Sequence, residues 1–498
     1  MPANLSQCVF SAEQVRTHEP SAAEQSAVSM YTLMERAGKA VFEQVIKHYS
    51  HAQNYVILVG VGNNAGDGYI VASLAKQAGK QVTVIPALPD KPLTGDALTA
   101  QKAWLAVGGE ISTYDPLTIK TADIVIDGLL GTGLKSEVRE PFTKLIKTAN
   151  DSPAPIIAID LPSGIDADTG AVQGIAIKAK LSVTFVGVKQ GLVTGEGRAY
   201  TGKCEFADLG VGQAFIQLAT PSAELINYGT TQGLTKRQNN SHKGSHGKLL
   251  CVGGNAGTAG AIRLTSEAAL RTGAGMVKVY THPDSVFAIS MGRPELMVTT
   301  TDLNAALDWA TSIAIGPGLG QDSWAKSTFE TVIQHCVAHN KAMVVDADAL
   351  KLLSRISDWP SLLPEGTILT PHPGEMAVMT GQTTRDIQQD RLGVLEKYAA
   401  SWGHVVILKG AYTLIGAPDG RTALIPVSTP ALARAGTGDV LAGIIAGLCA
   451  QGLSSYEAAV AGAWLHARAG VAAEARIVNP AGVLAGDVLA EIAGVLLK

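Results

Sequence analysis

The stretch "ARAGTGDVLAGIIAGL" (residues 433–448) decides the fold. A Gly-Thr-Gly-Asp turn runs directly into a helix of small and apolar residues. The backbone N–H groups at such a helix start can hold a phosphate, because they lack partners in the helix and carry its positive dipole end. Gly436 and Gly438 keep side chains clear of that approach, with Thr437 between them. Asp439, one residue on, could take a proton from a hydroxyl. An acid in a first turn is also what the dipole favours in any helix. The pattern G-x4-G-K-[ST] is absent, so a P-loop is excluded.

Around this turn, short apolar runs alternate with helical stretches. They are "KLLCVGG" (248–254), "MVKVYT" (276–281), "SIAIGPG" (312–318), "AMVVDADAL" (342–350), "TILTPHP" (367–373) and "VVILKGAYTLI" (405–415). Near-continuous Val/Ile runs are what strands buried on both faces look like. Alternation with helices predicts a parallel sheet of βαβ units. Glycine turns follow several of these runs, at "VGGNAGTAGAI", "GPGLG" and "AGTGD", and they define one crevice.

The first half has the same rhythm. "YVILVGV" (55–61), "QVTVIPA" (81–87), "DIVIDGLL" (123–130), "PIIAIDLP" (155–162) and "LSVTFVG" (181–187) read as strands, and residues 21–49 as helices. In "YTLMERAGKAVFEQVIKHY", Leu33, Ala37, Ala40, Val41 and Val45 share one helical face. Residues 211–243 are polar and rich in Gly, Ser and Asn, which marks a linker. The chain therefore reads as two α/β domains, 1–220 and 230–498: a Rossmann-like parallel-sheet domain, then another α/β domain. They share a class but no period, which indicates fusion rather than repetition.

In open α/β sheets, ligands bind outside the carboxyl ends of the strands. In the first half, "GVGNNAGDGY" follows the first strand. Gly60, Gly62 and Ala65 formally match G-x-G-x-x-G/A, but the next strand offers no acid for a ribose before Asp90, which counts against a dehydrogenase. The polar side chains of Asn63, Asn64 and Asp67 explain this loop better. Asp127 ends the third strand, ahead of "GLLGTGLKSE". Asp160, Ser163 and Asp166 follow the fourth. Asp and Asn end many strands because they suit turns, but three such ends aimed at one crevice predict a site. Oxygen donors without Cys or His suit a hard cation such as K⁺, Na⁺ or Mg²⁺.

Bulk properties bound the rest. The 498 residues exceed one core. The 46% hydrophobic and 16% charged residues fit ordinary globular domains, and 54 glycines fit many tight strand-to-helix turns. A net charge of −4 gives no basic surplus for nucleic acid or an anionic membrane. No apolar run reaches membrane-spanning length, and the amino-terminal stretch lacks the pattern of a secretory signal. The five cysteines, Cys8, Cys204, Cys251, Cys336 and Cys449, form no CxxC pair, which argues against a disulfide framework or a zinc site and for a reducing, cytoplasmic setting. His242 and His246 have metal-like spacing but lie in a polar loop, and read as solvated. Trp104, Trp402 and Trp464 read as core or interface.

"LMERAGKAV", "GNNAGDG", "DGLLGTG" and "DLPSGID" resemble the YjeF N-terminal domain, the NAD(P)H-hydrate epimerase family, over about 215 residues; Ala65 departs from an expected glycine. The resemblance implies a K⁺ ion on Asn64, Asp127 and Ser163. It implies hydrate binding by Asn63, Asn64, Ala65, Gly66 and Asp67, by Gly131, Thr132, Gly133, Leu134, Lys135, Ser136 and Glu137, and by Asp160, which is also the acid/base candidate. "GPGLG", "PHPGE", "KGAYT" and "GTGDVLAGI" resemble the ribokinase-like fold and, within it, the ADP/ATP-dependent NAD(P)H-hydrate dehydratases, over about 235–495. That implies Ala261, Gly318 and His372 at the hydrate, Lys409, Gly410, Ala411, Tyr412, Thr413 and Gly438 at the nucleotide, and a catalytic Asp439 between them. Mg²⁺ with ADP or ATP would be the cofactors, NADHX and NADPHX the substrates, and a homo-oligomer of four or more chains the assembly.

These resemblances give the phosphate turn a purpose. Hydroxide is a poor leaving group, since water has a pKa of about 15.7. Phosphate leaves far more easily, its second pKa being about 6. Asp439 would draw the hydroxyl proton while the 436–439 turn steadies the phosphoryl group. Elimination would then restore the reduced nicotinamide. An epimerase would feed in the other hydrate. The alternative is a hydroxymethylpyrimidine- or sugar-type kinase with a fused YjeF-type binding domain.

Overall fold

The computed structural model describes residues 5–227, 229 and 237–496. Residues 228 and 230–236, within the expected linker and at the start of the expected second domain, lie outside the described residues, as do 1–4 and 497–498. The chain divides into two compact units, Met1–Glu224 and Leu225–Lys498.

The first unit is built on a parallel sheet in the order β3-β2-β4-β5-β6-β8. Its strands are β2 (Asn54–Val59), β3 (Gln81–Pro86), β4 (Ile124–Gly128), β5 (Ile156–Ile159), β6 (Leu181–Phe185) and β8 (Lys203–Ala207). Side chains alternate between two cores, as a strand requires: Tyr55, Ile57 and Val59 enter one, Val56 and Leu58 the other. Short strands β1 (Cys8–Phe10), β7 (Val188–Lys189) and β9 (Ala223–Leu225) form a side ribbon, with β1 parallel to β7 and antiparallel to β9. The helical region predicted over 21–49 is two helices, α1 (Ala12–Gln25) and α2 (Met30–His48). Ser11 and Ser29 cap them with side-chain bonds to backbone N–H groups. Leu33, Ala37, Val41 and Val45 are buried on α2. Helix α3 (Asn63–Gln77) follows β2. Because β3 and β4 leave β2 on opposite sides, the crevice of this sheet opens between β2 and β4 at their carboxyl ends.

The second unit carries β10 (Lys248–Val252), β11 (Met276–Tyr280), β12 (Met297–Thr299), β13 (Ser312–Ile315), β14 (Met343–Val345), β15 (Ile368–Leu369), β16 (Val405–Leu408), β17 (Leu414–Gly416) and β18 (Thr422–Leu424). They run β12-β11-β10-β13-β14-β15-β16-β17-β18 across the sheet. Pairing is parallel as far as β16 and antiparallel beyond. The switch point lies between β10 and β13. Flanking helices include α4 (Ala259–Thr272), α5 (Leu303–Trp309), α6 (Ser323–His339), α7 (Pro373–Thr380), α8 (Thr437–Ala450), α9 (Ser455–Ile477) and α10 (Ala485–Val495). The small residues of α8 have a packing reason. A Cβ on Gly443 would lie 2.1 Å from the Thr265 carbonyl oxygen, and one on Gly447 would lie 3.0 Å from Ala269, both on α4. These two glycines let the helices pack backbone to backbone. Trp104, Trp402 and Trp464 are buried in their units.

Candidate functional sites

In the first unit, the "GNNAGDG" segment is the first turn of α3 rather than a loop, with Gly62 as its N-cap. The helix geometry sorts its residues. Ala65 is fully buried in the core, and a Cβ on Gly66 would sit 2.5 Å from Met34 Sδ. Asn63, Asn64 and Asp67 instead line a cleft of about 160 Å³, together with Thr132, Asp160, Glu19 and Asp96. From the 131–137 segment, only Thr132 lines this cleft. Lys135 turns to Asp168 at 2.8 Å, and Glu137 lines a different cleft beside Val138 and Lys144. Asp166 is a turn cap, accepting from the N–H groups of Asp168 and Thr169.

Asp160 follows β5 in the left-handed region, with φ +64°. Its Oδ1 accepts from Thr184 Oγ1 at 3.0 Å, Phe185 N–H at 3.2 Å and Lys189 Nζ at 2.5 Å. Lys189 is 2% exposed and also donates to the Phe185 carbonyl. Burial pushes the carboxyl of Asp67 well above the usual range, and does the same more mildly to Glu19. The cleft thus offers carboxyl groups held toward the neutral form beside a fixed carboxylate–ammonium pair.

Asn64, Asp127 and Ser163 meet below the cleft. Ser163 donates to Asp127 through its hydroxyl at 2.6 Å and its backbone N–H at 2.8 Å. Ser163 Oγ accepts from Leu130 N–H at 2.8 Å, and Asn64 donates to the Leu130 carbonyl at 2.8 Å. Asp127 is fully buried, and burial pushes its carboxyl up to about 6 despite the bonds from Ser163 and Leu129. A buried carboxylate among hydroxyl, amide and carbonyl groups, with no cationic side chain of the described residues bonded to it, fits a hard cation.

In the second unit, Gly436 caps α8 with φ +89°, and Thr437 opens the helix. Thr437 Oγ1 donates to the carbonyls of Leu432 and Arg434 at 2.8 Å, which closes the turn. Asp439 faces a charged group assembled from other strand ends. Lys409, after β16, lies 2.7 Å from Asp346, after β14, and 3.7 Å from Glu375 in the first turn of α7. Burial pulls the Lys409 ammonium down, but Asp346, Glu375 and Asp439 outweigh it, and its pKa is raised. Burial and then Asp346 push the Asp439 carboxyl up to about 7. The space above Gly438 leads to Lys409, whose Nζ would be 3.6 Å from a Cβ there.

The other expected residues follow the carboxyl ends of β10, β13, β15 and β16. His372 caps α7, accepting on Nδ1 from Gly374 and Glu375 N–H, and its Nε2 is 3.5 Å from Glu375. Gly318, at φ +61°, has its backbone against Thr258, which accepts from the N–H of Ala261 in the first turn of α4. Gly320 N–H donates to Asp348, tying the 316–320 turn to the end of β14. The Lys409–Thr413 segment is anchored by Lys409 N–H on the Pro371 carbonyl, turns through Tyr412 at φ +60°, and closes with Thr413 donating to Gly410. Ala411 lies between these anchors. His246 bonds Ser241, away from these residues in sequence.

Four participants were not assigned from sequence. Lys189 had a signal, a lone cation in the apolar run 181–193. Asp346 and Glu375 lay in quoted motifs without a role. Glu19 had none, since only the fold brings α1 over the cleft.

Residues 249–493 match the model of the NAD(P)H-hydrate dehydratase family, and residues 30–191 that of the YjeF-related protein N-terminus. The bifunctional NAD(P)H-hydrate repair enzyme of Escherichia coli (strain K12) is 40% identical over 99% of this chain and 94% of its own length. A ribokinase-like superfamily protein from Enterococcus faecalis V583 is similar in structure, with a TM-score of 0.51 and 26% identity over 56% of this chain and 98% of its own. An ADP/ATP-dependent NAD(P)H-hydrate dehydratase from Bacillus subtilis, co-crystallised with ATP and Mg²⁺, is 30% identical over 54% of this chain and 95% of its own, with a TM-score of 0.48.

Proposed function

This chain belongs to the bifunctional NAD(P)H-hydrate repair enzymes, and from that premise we propose how its two units divide the work. Residues 1–220 interconvert the R and S hydrates of NADH and NADPH. Residues 230–498 dehydrate the S hydrate, with ADP or ATP as phosphoryl donor. The observation that carries the second assignment is Asp439, in the first turn of α8 and opposite Lys409, Asp346 and Glu375.

For dehydration, Asp439 takes the proton of the ring hydroxyl as that oxygen attacks the terminal phosphorus of the nucleotide. The N–H groups of Gly436, Gly438 and Asp439 and the Lys409 ammonium hold the phosphoryl charge, while the Thr437 N–H is bonded to the Arg434 carbonyl. The ring-nitrogen lone pair then breaks the C–O bond, phosphate leaves with its electron pair, and loss of the neighbouring ring proton restores the double bond. Mg²⁺ would arrive with the nucleotide phosphates and shield their charge. Asp346 Oδ2 is buried without a hydrogen-bond partner, so this carboxylate fits as its protein ligand.

For epimerisation, the ring nitrogen expels the hydroxyl group and water returns to the other face. Asp160, oriented by Lys189, exchanges the proton at that oxygen, while Asn63, Asp67 and Thr132 hold the ring. Asn64, Asp127 and Ser163 would hold K⁺, which supplies a fixed positive charge beside the cleft. The exposed Phe287 and Met291, next to the edge strand β12, and Met297 at its start support a homo-oligomer. No helix of the described residues is long and apolar enough to cross a membrane.

The test is recovery of reduced-nicotinamide absorbance from mixed R and S hydrates. Full recovery that depends on one nucleotide supports both assignments and names the donor. Recovery that stops at the S fraction, with or without K⁺, overturns the epimerase assignment. A stable phosphorylated product overturns the dehydratase assignment in favour of a kinase.

A further inference from the structure

We propose that Asp308, His335 and His339 bind one divalent transition-metal ion of the zinc class, at the end of the second unit's sheet opposite its reaction crevice. One ligand atom from each of the three lies within 4.8 Å of the others. His335 and His339 are one turn apart on α6 and share a face, where their rings stack with centroids 4.2 Å and planes 24° apart, so ligation by both needs the exposed His339 ring to tilt toward the ion. Asp308, also exposed, comes from the last turn of α5.

Three details favour a metal over an ordinary polar cluster. His335 is 8% exposed, and its Nε2 is buried without a hydrogen-bond partner. An orphaned ring nitrogen in a protein interior is costly unless something occupies it. That nitrogen lies 3.6 Å from Asp308 Oδ1, too long for a hydrogen bond. Two ligands about 2.0–2.1 Å from a tetrahedral zinc stand roughly 3.3–3.4 Å apart, so the gap is close to that of a metal-bridged pair. Finally, His339 Nδ1 lies 2.9 Å from the His335 carbonyl, which can only accept. Nδ1 therefore carries the proton, and the lone pair sits on Nε2, the arrangement that backbone partners impose on metal-binding histidines.

The neighbouring cation is accounted for. Lys341 Nζ donates to the carbonyls of Leu307 and Ala310 at 2.7 and 3.2 Å, with Asp308 O at 3.5 Å. This ties down the end of α5 that presents Asp308. Two neutral imidazoles and one carboxylate leave a fourth position for water, and nitrogen-rich sites of this kind prefer zinc and its neighbours to Mg²⁺ or Ca²⁺.

Topology sets the site apart from the chemistry. Helix α5 leads into the amino end of β13 and α6 into that of β14, and the two strands are parallel. Asp346 and the 316–320 turn lie past the carboxyl ends of the same strands. The metal would therefore pin α5 to α6 without touching substrate.

The experiment titrates the full-length, chelator-treated protein with Zn²⁺ against a chromogenic chelator, and with Co²⁺ by its visible absorption. The expected result is one equivalent per chain, a tetrahedral-type Co²⁺ spectrum, and a Zn²⁺-dependent rise in Tm. His339→Ala and Asp308→Asn should each weaken binding by about tenfold or more and shrink the Tm rise at a fixed Zn²⁺ concentration, with both enzymatic rates unchanged. A His242→Ala/His246→Ala variant should bind as the parent does. No retained equivalent, or binding unaffected by His339→Ala in a folded protein, overturns the proposal.

Discussion

The ammonium of Lys409 stands 2.7 Å from the Asp346 carboxylate, joining the ends of two strands with β15 between them. Lys409 is 16% exposed and Asp346 1%, so neither charge is left to water. Removing one partner strands the other. Lys409→Met should lower stability by about 3–5 kcal/mol in denaturant titration. Lys409→Met combined with Asp346→Asn should recover much of that stability. Neither variant should dehydrate hydrate at the parental rate, because the phosphoryl charge has lost its cation.

Asp439→Asn keeps the shape of the first turn of α8 and removes the base. The dehydration kcat should fall by about 10²–10⁴-fold, while nucleotide protection against thermal unfolding persists. Interconversion of the R and S hydrates, followed by chromatography, should be unaltered. A variant that still dehydrates at the parental rate would remove Asp439 from the mechanism.

The pH profile follows from the same carboxyl. Its pKa is raised to about 7 by burial and by Asp346, and as the proposed base it works as the carboxylate. Dehydration kcat/KM should therefore rise with pH through about 7 and level off above it, and Asp439→Asn should lack that limb. Stability moves the other way. A folded-state pKa above the unfolded value means the fold holds the proton more tightly. This group's stabilising contribution is thus complete below about 4 and is lost as pH rises through 7.

Asp160→Asn tests the first unit. Asparagine tolerates the left-handed backbone at φ +64°, so the turn should survive. The variant should clear the S hydrate with nucleotide and leave the R hydrate behind. Equal clearance of both epimers would place the acid/base elsewhere in the cleft.

The sequence made legible whatever is local. Runs such as "YVILV" announce strands buried on both faces, and "GTGD" announces a helix start by its glycines. Segment type was less certain where helix and turn share residues. "NNAGDG" read as a loop, yet packing of Ala65 and Gly66 into the core makes it helical. Pairings across the fold left almost no trace. Nothing local links Asp160 to Lys189 29 residues on, or Asp346 to Lys409 63 residues on. The same holds for Asp308, which meets His335 only because two successive crossover helices end side by side.

The cap of α8 has a consequence for how such a chain can change over time. A Cβ on Gly436 would come within 2.9 Å of Leu264 on α4 and 3.0 Å of Ala485 on α10, besides straining a left-handed turn. A replacement would press on the Leu264 side-chain tip and on Ala485 at the same turn that is proposed to hold the anion. Loss of chemistry and loss of integrity would arrive together, in one mutational step. A lineage would find it hard to keep the scaffold while letting this activity decay through that position, and suppressor screens at Gly436 should return glycine and, at most, residues such as asparagine that tolerate the left-handed turn.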